Sequence, residues 1–339
     1  RQGSAKPSCD GSNPSSTSSQ SPYKRFVCTG FLLFQKWPLP RQPATFWRRC
    51  IERPKAALAP PAKAWYSKQN MVKAGVFMKA EVLYFSAAGT TKRVAKAIAR
   101  GLACETRFMD ITPFAARNEP FVPTADLLVL AVPVYGLRIP KPVAQFLAQL
   151  QGQNTPFAAV CVYGNIRSGA APAQMARLAQ QAKLQLIAMG IMVGQHTFAS
   201  KKFPVALGRP DETDLKKAEE FGRNISAKLA AGQTSTPAIP KSLLPANMAY
   251  LPNTGLRFAV RQPTVNKALC TRCGLCPVNC PMAAIDPRTL QIREARCLRC
   301  GACVAVCNYK ARSIGFRFSV AGHVITHMGA KRKEPLFFV

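Results

Sequence analysis

The chain has 339 residues, with 47 Lys and Arg against 15 Asp and Glu, for a formal net charge of +32. That length exceeds one typical domain and suggests two, and no apolar run reaches the roughly 18 to 20 residues a membrane helix needs, so no membrane span is expected. The charge divides as +11 over residues 1–77, +10 over 78–256 and +11 over 257–339; a basicity so evenly spread argues against a dedicated nucleic-acid arm and leaves acidic partners, or a generally basic proteome, as its meaning.

Residues 1–77 begin with a low-complexity polar stretch containing Ser15, Ser16, Ser18, Ser19 and Pro22, which cannot bury a core. The remainder of this region mixes Trp37, Trp47 and Trp65 with Pro and Arg and has neither helical nor strand periodicity. Lys24, Arg25 and the apolar Phe26 to Phe34 have the look of a signal peptide, but they lack a small-residue cleavage site after them. The extension is expected to be disordered or not native, with Met78 as the native start and Met71 second.

Regular sequence begins at Ala80. The apolar run Val82 to Phe85 suits a buried parallel strand, and it ends in Ser86, Ala87, Ala88, Gly89, Thr90 and Thr91 ahead of a helix with Val94, Ala97, Ile98 and Leu102 on one face. A hydroxyl-rich turn there points amides and hydroxyls at one spot where the helix dipole favours an anion, so it reads as a phosphate cradle; such turns also serve simply as helix caps. Strand-like runs at Thr106 to Met109, Asp126 to Val132, Phe157 to Val162 and Leu184 to Val193 alternate with helical patterns near Pro142 to Leu150 and Ala171 to Lys183. This predicts an α/β doubly wound parallel sheet whose ligands lie at the carboxyl ends of the strands. Pro133, Val134, Tyr135 and Gly136 come after the third strand and Tyr163, Gly164 and Asn165 after the fourth; they are placed to flank a flat ring, although ordinary packing explains each tyrosine equally well. Asp211, Glu212 and Asp214 open a last helix with Leu215, Ala218, Gly222, Ile225 and Leu229 in its stripe. The proline-rich stretch from Thr234 to Pro252 reads as a linker.

Beyond it, eight of the 13 cysteines form two matching runs, Cys270, Cys273, Cys276, Cys280 and Cys297, Cys300, Cys303, Cys307, each position recurring after 27 residues. Three thiolates so spaced take three corners of a cuboidal iron-sulfur cluster, and the fourth cysteine of such a run ligates the other cluster. This assigns Cys270, Cys273, Cys276 and Cys307 to one [4Fe-4S] cluster and Cys297, Cys300, Cys303 and Cys280 to a second. Zinc would leave the third cysteine of each run surplus, and a disulfide framework suits a short secreted chain, which this is not. Gly274 and Gly301 come directly after the middle cysteines, where the backbone turns tightly round the inorganic core. Cys9, Cys28, Cys50, Cys104 and Cys161 show no ligand spacing; Cys161 is expected to be a small buried residue. His323 and His327, four apart, lack a third ligand and are expected to be solvated.

On the phosphate turn, Pro133 to Gly136 with Ile139, Pro140, Lys141 and Pro142, Tyr163 to Asn165, and the paired cysteine runs, the chain resembles the flavodoxin-ferredoxin fusions called ferrodoxins. The resemblance covers roughly residues 79–315. It implies FMN in the first domain, held at Ser86 to Thr91, Pro133 to Gly136 and Tyr163 to Asn165, and electron transfer as the activity. The chain departs from the pattern at Ala88, where flavodoxins usually carry a hydroxyl, and at Asn308, where proline is expected. The expected layout is an extension over 1–77, a flavodoxin-like domain over 78–232, a linker over 233–256, a small α+β ferredoxin domain over 257–315 and a basic tail over 316–339.

The expected function is an intracellular, cytoplasmic electron carrier that passes electrons between FMN and two clusters and on to a redox partner protein, since iron-sulfur assembly belongs to a reducing compartment. No nucleophile-base arrangement and no glycine fingerprint for NAD is found in the sequence. A flavin-dependent reductase fed by the clusters is the first alternative; a nucleic-acid-associated iron-sulfur protein, motivated by charge alone, is the second.

Overall fold

The computed structural model describes residues 78–239 and 254–339. The expectations for residues 1–77 and for most of the linker lie outside the described residues.

Five parallel strands carry the first domain: β1 (Lys79–Tyr84), β2 (Glu105–Asp110), β3 (Leu127–Pro133), β4 (Thr155–Tyr163) and β5 (Leu184–Val193), in the order β2-β1-β3-β4-β5. The register runs Ala80 against Leu127, Leu128 against Phe157 and Thr155 against Leu184. β3 is buried at every position, as a strand covered on both faces must be, which is why its sequence is a continuous apolar run. Helices α1 (Thr90–Leu102), α2 (Lys141–Gln149), α3 (Ala171–Gln181) and α4 (Glu212–Ala230) cover the two faces. Alternate strand residues supply two cores: Val82, Val129 and Val160 pack with α1 and α4, whereas Leu83, Leu130 and Ala159 pack with α2 and α3. Gly101 and Gly222 bring α1 and α4 into backbone contact; a Cβ on Gly222 would sit 2.2 Å from the Ile98 carbonyl oxygen. α4 opens with a capping box in which Asp211 and Asp214 exchange bonds with each other's backbone N–H. This is the doubly wound α/β sheet expected from the sequence.

The cysteine-rich segment is small and built on duplicated parts. It holds α5 (Thr254–Ala259), β6 (Thr264–Val265), α6 (Leu275–Val278), α7 (Ala302–Ala305) and β7 (Arg312–Ser313). β6 pairs antiparallel with β7 through Val265 and Arg312, and Ile292 pairs antiparallel with Ile285, so the 27-residue sequence repeat is also a repeat of pairing. The left-handed residues recur as well: Arg272 and Arg299, Gly274 and Gly301, Ala283 and Lys310.

Residues 316–339 were expected to be a basic tail, and the structure gives them a definite place. They form α8 (Ser319–Met328) and β8 (Leu336–Phe338), and β8 pairs antiparallel with β5, putting Phe338 opposite Met189. Phe337 stacks on Phe221 of α4 at 4.8 Å between ring centroids. Arg332 bridges to Asp211 and Glu334, and Lys217 to Glu334. The apolar triplet closes the sheet edge, and the basic residues before it meet the acidic first turn of α4.

Candidate functional site

A cavity of about 820 Å³ opens at the carboxyl ends of β1, β3, β4 and β5. Ser86 to Thr91, Pro133 to Gly136, Tyr163 and Gly164 all line it. The turn after β1 is held by two hydrogen bonds: the Ser86 N–H donates to Thr112 Oγ1 at 2.7 Å, and the Lys92 N–H donates to Ser86 Oγ at 3.0 Å. Ser86 thus serves the helix start, and the hydroxyls left for a ligand are those of Thr90 and Thr91. α1 begins after Gly89, which is left-handed at φ 85°, with no side-chain cap and no acidic residue in its first turn. A Cβ on Gly89 would meet nothing within 4 Å, so the backbone there faces open space. Lys92, Arg93, Lys96, Arg167 and Arg209 also line the cavity. Uncapped helix amides, two threonines and a set of cations suit a phosphate, with main chain available where Ala88 lacks the hydroxyl. The residues present therefore fit a flavin mononucleotide.

Tyr135 sits in a tight turn, its N–H donating to the Arg138 carbonyl at 2.9 Å, with Gly136 and Leu137 both left-handed. Burial, and secondarily the charge at Cys300, pushes the Tyr135 hydroxyl well above its usual range. Tyr163 is raised by burial too. His196, which no sequence motif singled out, lines the cavity; burial takes it down to about 4. Its Nδ1 accepts from the Phe198 N–H at 3.3 Å, so at neutral pH the ring is uncharged with its proton on Nε2. Asn165 is placed differently from its neighbours. Its amide is buried in the C-terminal segment, donating to the carbonyls of Gly329 at 2.8 Å and Lys331 at 3.0 Å and accepting from the Lys333 N–H. It is absent from the cavity lining because those bonds fully occupy it.

The eight motif cysteines ring two small cavities. Cys270, Cys273, Cys276 and Cys307 line one, and Cys280, Cys297, Cys300 and Cys303 line the other. Among the described residues no three His, Cys, Asp or Glu side chains are arranged around a single metal-ion position; thiolates spread round a cavity suit a polynuclear cluster better than one zinc ion. Backbone N–H groups aim at sulfur in matched pairs, Ala284 at Cys280 Sγ (3.3 Å) and Ala311 at Cys307 Sγ (3.2 Å), each four residues beyond its cysteine. Two buried arginines carry nitrogens with no partner, Nε and Nη1 of Arg299 and Nε of Arg312. Arg312 lines the first cavity, and an orphaned donor at its wall suits an anionic core. Burial pushes the Cys300 and Cys303 thiols up to about 12, so ligation there must drive protons off.

The two kinds of site share a wall. Leu298 lines both the large cavity and the ring of Cys280, Cys297, Cys300 and Cys303. Cys300 and Ala302 are part of the first domain's core, and a Cβ on Gly301 would lie 3.3 Å from Thr197 Cγ2. Val260, Phe316, Ile325 and Met328 complete the large cavity from the cysteine-rich and C-terminal segments. None of them carries a local signal: they are apolar residues outside any motif, brought in by tertiary docking. Cys161 is fully buried in β4, and His323 packs edge-on to Phe203 at 5.4 Å on the exposed side of α8.

A family profile describing a flavodoxin domain matches residues 81–197, and one describing a 4Fe-4S dicluster domain matches residues 262–308. No protein of curated function matches the chain. Among solved structures, a flavodoxin from the domain Archaea is 20% identical, over 45% of this chain and 99% of its own, with a TM-score of 0.34. A flavodoxin of Streptococcus pneumonia is 17% identical over 44% and 99%, with a TM-score of 0.33. The two-electron reduced flavodoxin of Megasphaera elsdenii is 15% identical over 43% and 98%, with a TM-score of 0.31. No helix among the described residues is long and apolar enough to cross a membrane.

Proposed function

We propose that this chain, whose flavodoxin-domain match over residues 81–197 and 4Fe-4S dicluster match over 262–308 support a role in electron transfer, carries electrons between FMN in the large cavity and two [4Fe-4S] clusters, and on to a separate redox protein. A flavin exchanges two electrons and each cluster one, so the pair converts between two-electron and one-electron donors. The observation that carries this reading is Leu298, one side chain thick between the flavin cavity and the buried cysteine ring.

The protein's own groups do the positioning. The amides after Gly89 and the hydroxyls of Thr90 and Thr91 bind the phosphate, with Lys92 and Lys96 balancing its charge. Tyr135 and Tyr163 bound the ring site, and His196 offers a neutral N–H to it. Phe316 and Ile325 form an apolar wall on the side facing the second domain. The crossed assignment of cysteines makes the ring of Cys280, Cys297, Cys300 and Cys303 the inner station and that of Cys270, Cys273, Cys276 and Cys307 the outer one. Cys273 is exposed, as are Leu269, Leu275, Val278 and Tyr309, and Lys267 and Arg272 flank it in the sequence, with no acidic residue between 267 and 280. That rim suits an acidic one-electron carrier, steered by charge.

The test is anaerobic purification with iron, sulfide and flavin assays, then stopped-flow mixing of the reduced protein with native and succinylated cytochrome c, the same haem protein with opposite charge. The expected result is one flavin and two clusters per chain, and faster, more salt-sensitive reduction of the succinylated form. Clusters without flavin after reconstitution with FMN would remove the role assigned to the first domain.

A further inference from the structure

The two cysteine rings are duplicates, so a residue that differs between them at equivalent positions shows what each ring is adapted to. Position 285 of the first repeat is Ile, and its counterpart 27 residues on is Arg312. Ile285 is buried against the inner ring. Arg312 is equally buried, 4% exposed, and lines the outer ring. Its Nη2 donates to the Leu290 carbonyl at 2.7 Å and to Cys276 Sγ at 3.6 Å, and its Nε has no partner. A buried cation placed this way lacks the water that would screen it.

The loop of the inner ring carries a buried arginine as well, but it lines the large cavity rather than the ring, and although its Nε and Nη1 have no partner its charge is balanced. Arg299 donates Nη2 to Glu294 Oε1 at 2.6 Å, and it is the Arg299 backbone N–H that reaches Cys297 Sγ, at 3.4 Å. The guanidinium of Arg312 instead meets a carbonyl and a thiolate. Its field extends to Cys303 of the inner ring, where it opposes the upward push of burial, but its hydrogen bond to sulfur is to the outer ring.

Reducing a cluster adds one negative charge, and a cation with an N–H directed at a ligating sulfur favours that more negative state. Resting on the two-cluster reading above, we propose that Arg312 holds the outer cluster at a higher reduction potential than the inner one, so that electrons arriving from the flavin side move outward and stay beside the exposed Cys273 until a partner takes them. Arg312 is a tuning residue for this step, and Ile285 is its neutral counterpart.

The experiment is an anaerobic redox titration of the full-length holoprotein followed by electron paramagnetic resonance, with iron and sulfide counted in the same samples. Cys273→Ser identifies the outer cluster by altering or abolishing its signal. The expected result is that this signal has the higher midpoint potential, and that Arg312→Ile lowers its reduction constant about tenfold, ~59 mV for one electron, with a smaller shift of the other signal. Should Arg312→Ile fail to assemble clusters, Arg312→Gln, which keeps a donor and drops the charge, is expected to narrow the gap in the same direction. Coincident potentials in the wild type, a lower potential for the outer signal, or equal shifts of both signals in either variant would overturn the proposal. A single signal with iron for one cluster per chain would bring down the two-cluster reading itself, and the iron count separates that outcome from the others.

Discussion

The loops 270–276 and 297–303 have the same cysteine spacing, a left-handed arginine directly before the second cysteine and a left-handed glycine directly after it, yet they occupy opposite environments. In the second loop Cys300 is 8% exposed and its neighbour Ala302 is 3% exposed; in the first, Cys273 is exposed and the residue equivalent to Ala302 is Leu275, 38% exposed. Spacing specifies the ligand geometry and is indifferent to surroundings. What distinguishes the loops is the non-ligand residues: Leu298 where the first loop has Thr271, and Ala302 where it has Leu275. A duplicated unit has been given one copy that faces inward and one that faces out, by substitutions that leave every cysteine in place.

The largest effects come from the shared fourth ligands. Cys280→Ser is expected to alter the signal of the inner cluster and Cys307→Ser that of the outer, read by comparison with Cys300→Ser and Cys273→Ser; the opposite pairing would mean that each loop keeps its own fourth cysteine. Next comes pH. His196, on the inward side, is held well below 6.5, so the unfolded chain takes up protons below about pH 6.5 that the native protein takes up only near 4; stability is full above that window and falls as pH drops through it. His196→Gln is expected to flatten the acid limb of the denaturation midpoint against pH, by up to about 3 kcal/mol, whereas loss of the exposed Lys267 leaves that limb unchanged. Third, Leu298→Ala is expected to cost about 1–2 kcal/mol in urea unfolding, for a half-buried leucine losing its packing, and the equivalent Thr271→Ala within about 0.5 kcal/mol of nothing; equal costs would mean that the shared wall carries no packing energy. Smallest, Thr90→Ala or Thr91→Ala is expected to weaken FMN by about 1 kcal/mol, measured by flavin fluorescence on titration, with iron content unchanged.

Much of this was legible in the residues themselves. The apolar runs at Val82 to Phe85 and Asp126 to Val132 became β1 and β3 because parallel strands buried on both faces permit little else, and the acidic start of α4 became a capping box. The phosphate turn and the aromatic edges reached one cavity because strand ends in such a sheet converge. The sequence did not reveal which partner each polar group would find. Asn165 comes after Tyr163 and Gly164 in what looks like a ring-binding edge, but its hydrogen bonds go to residues 164 and 166 positions further along. The strand Leu336–Phe338 is too short for any periodicity to register. The burial of Arg299 and Arg312 results from how the duplicated loops dock, which no local pattern encodes.

The pairing of β8 with β5 alters what kind of attachment the second domain has. A domain fused at one end sweeps a volume set by its linker, and that volume governs the rate at which it meets its neighbour. Here the chain leaves the flavodoxin domain after α4, passes through both cysteine rings, and returns to lock three residues onto the sheet edge, so the dicluster domain is an insertion with two anchors. Lengthening the linker therefore leaves the cysteine-rich segment held at its far end for as long as the last strand stays paired.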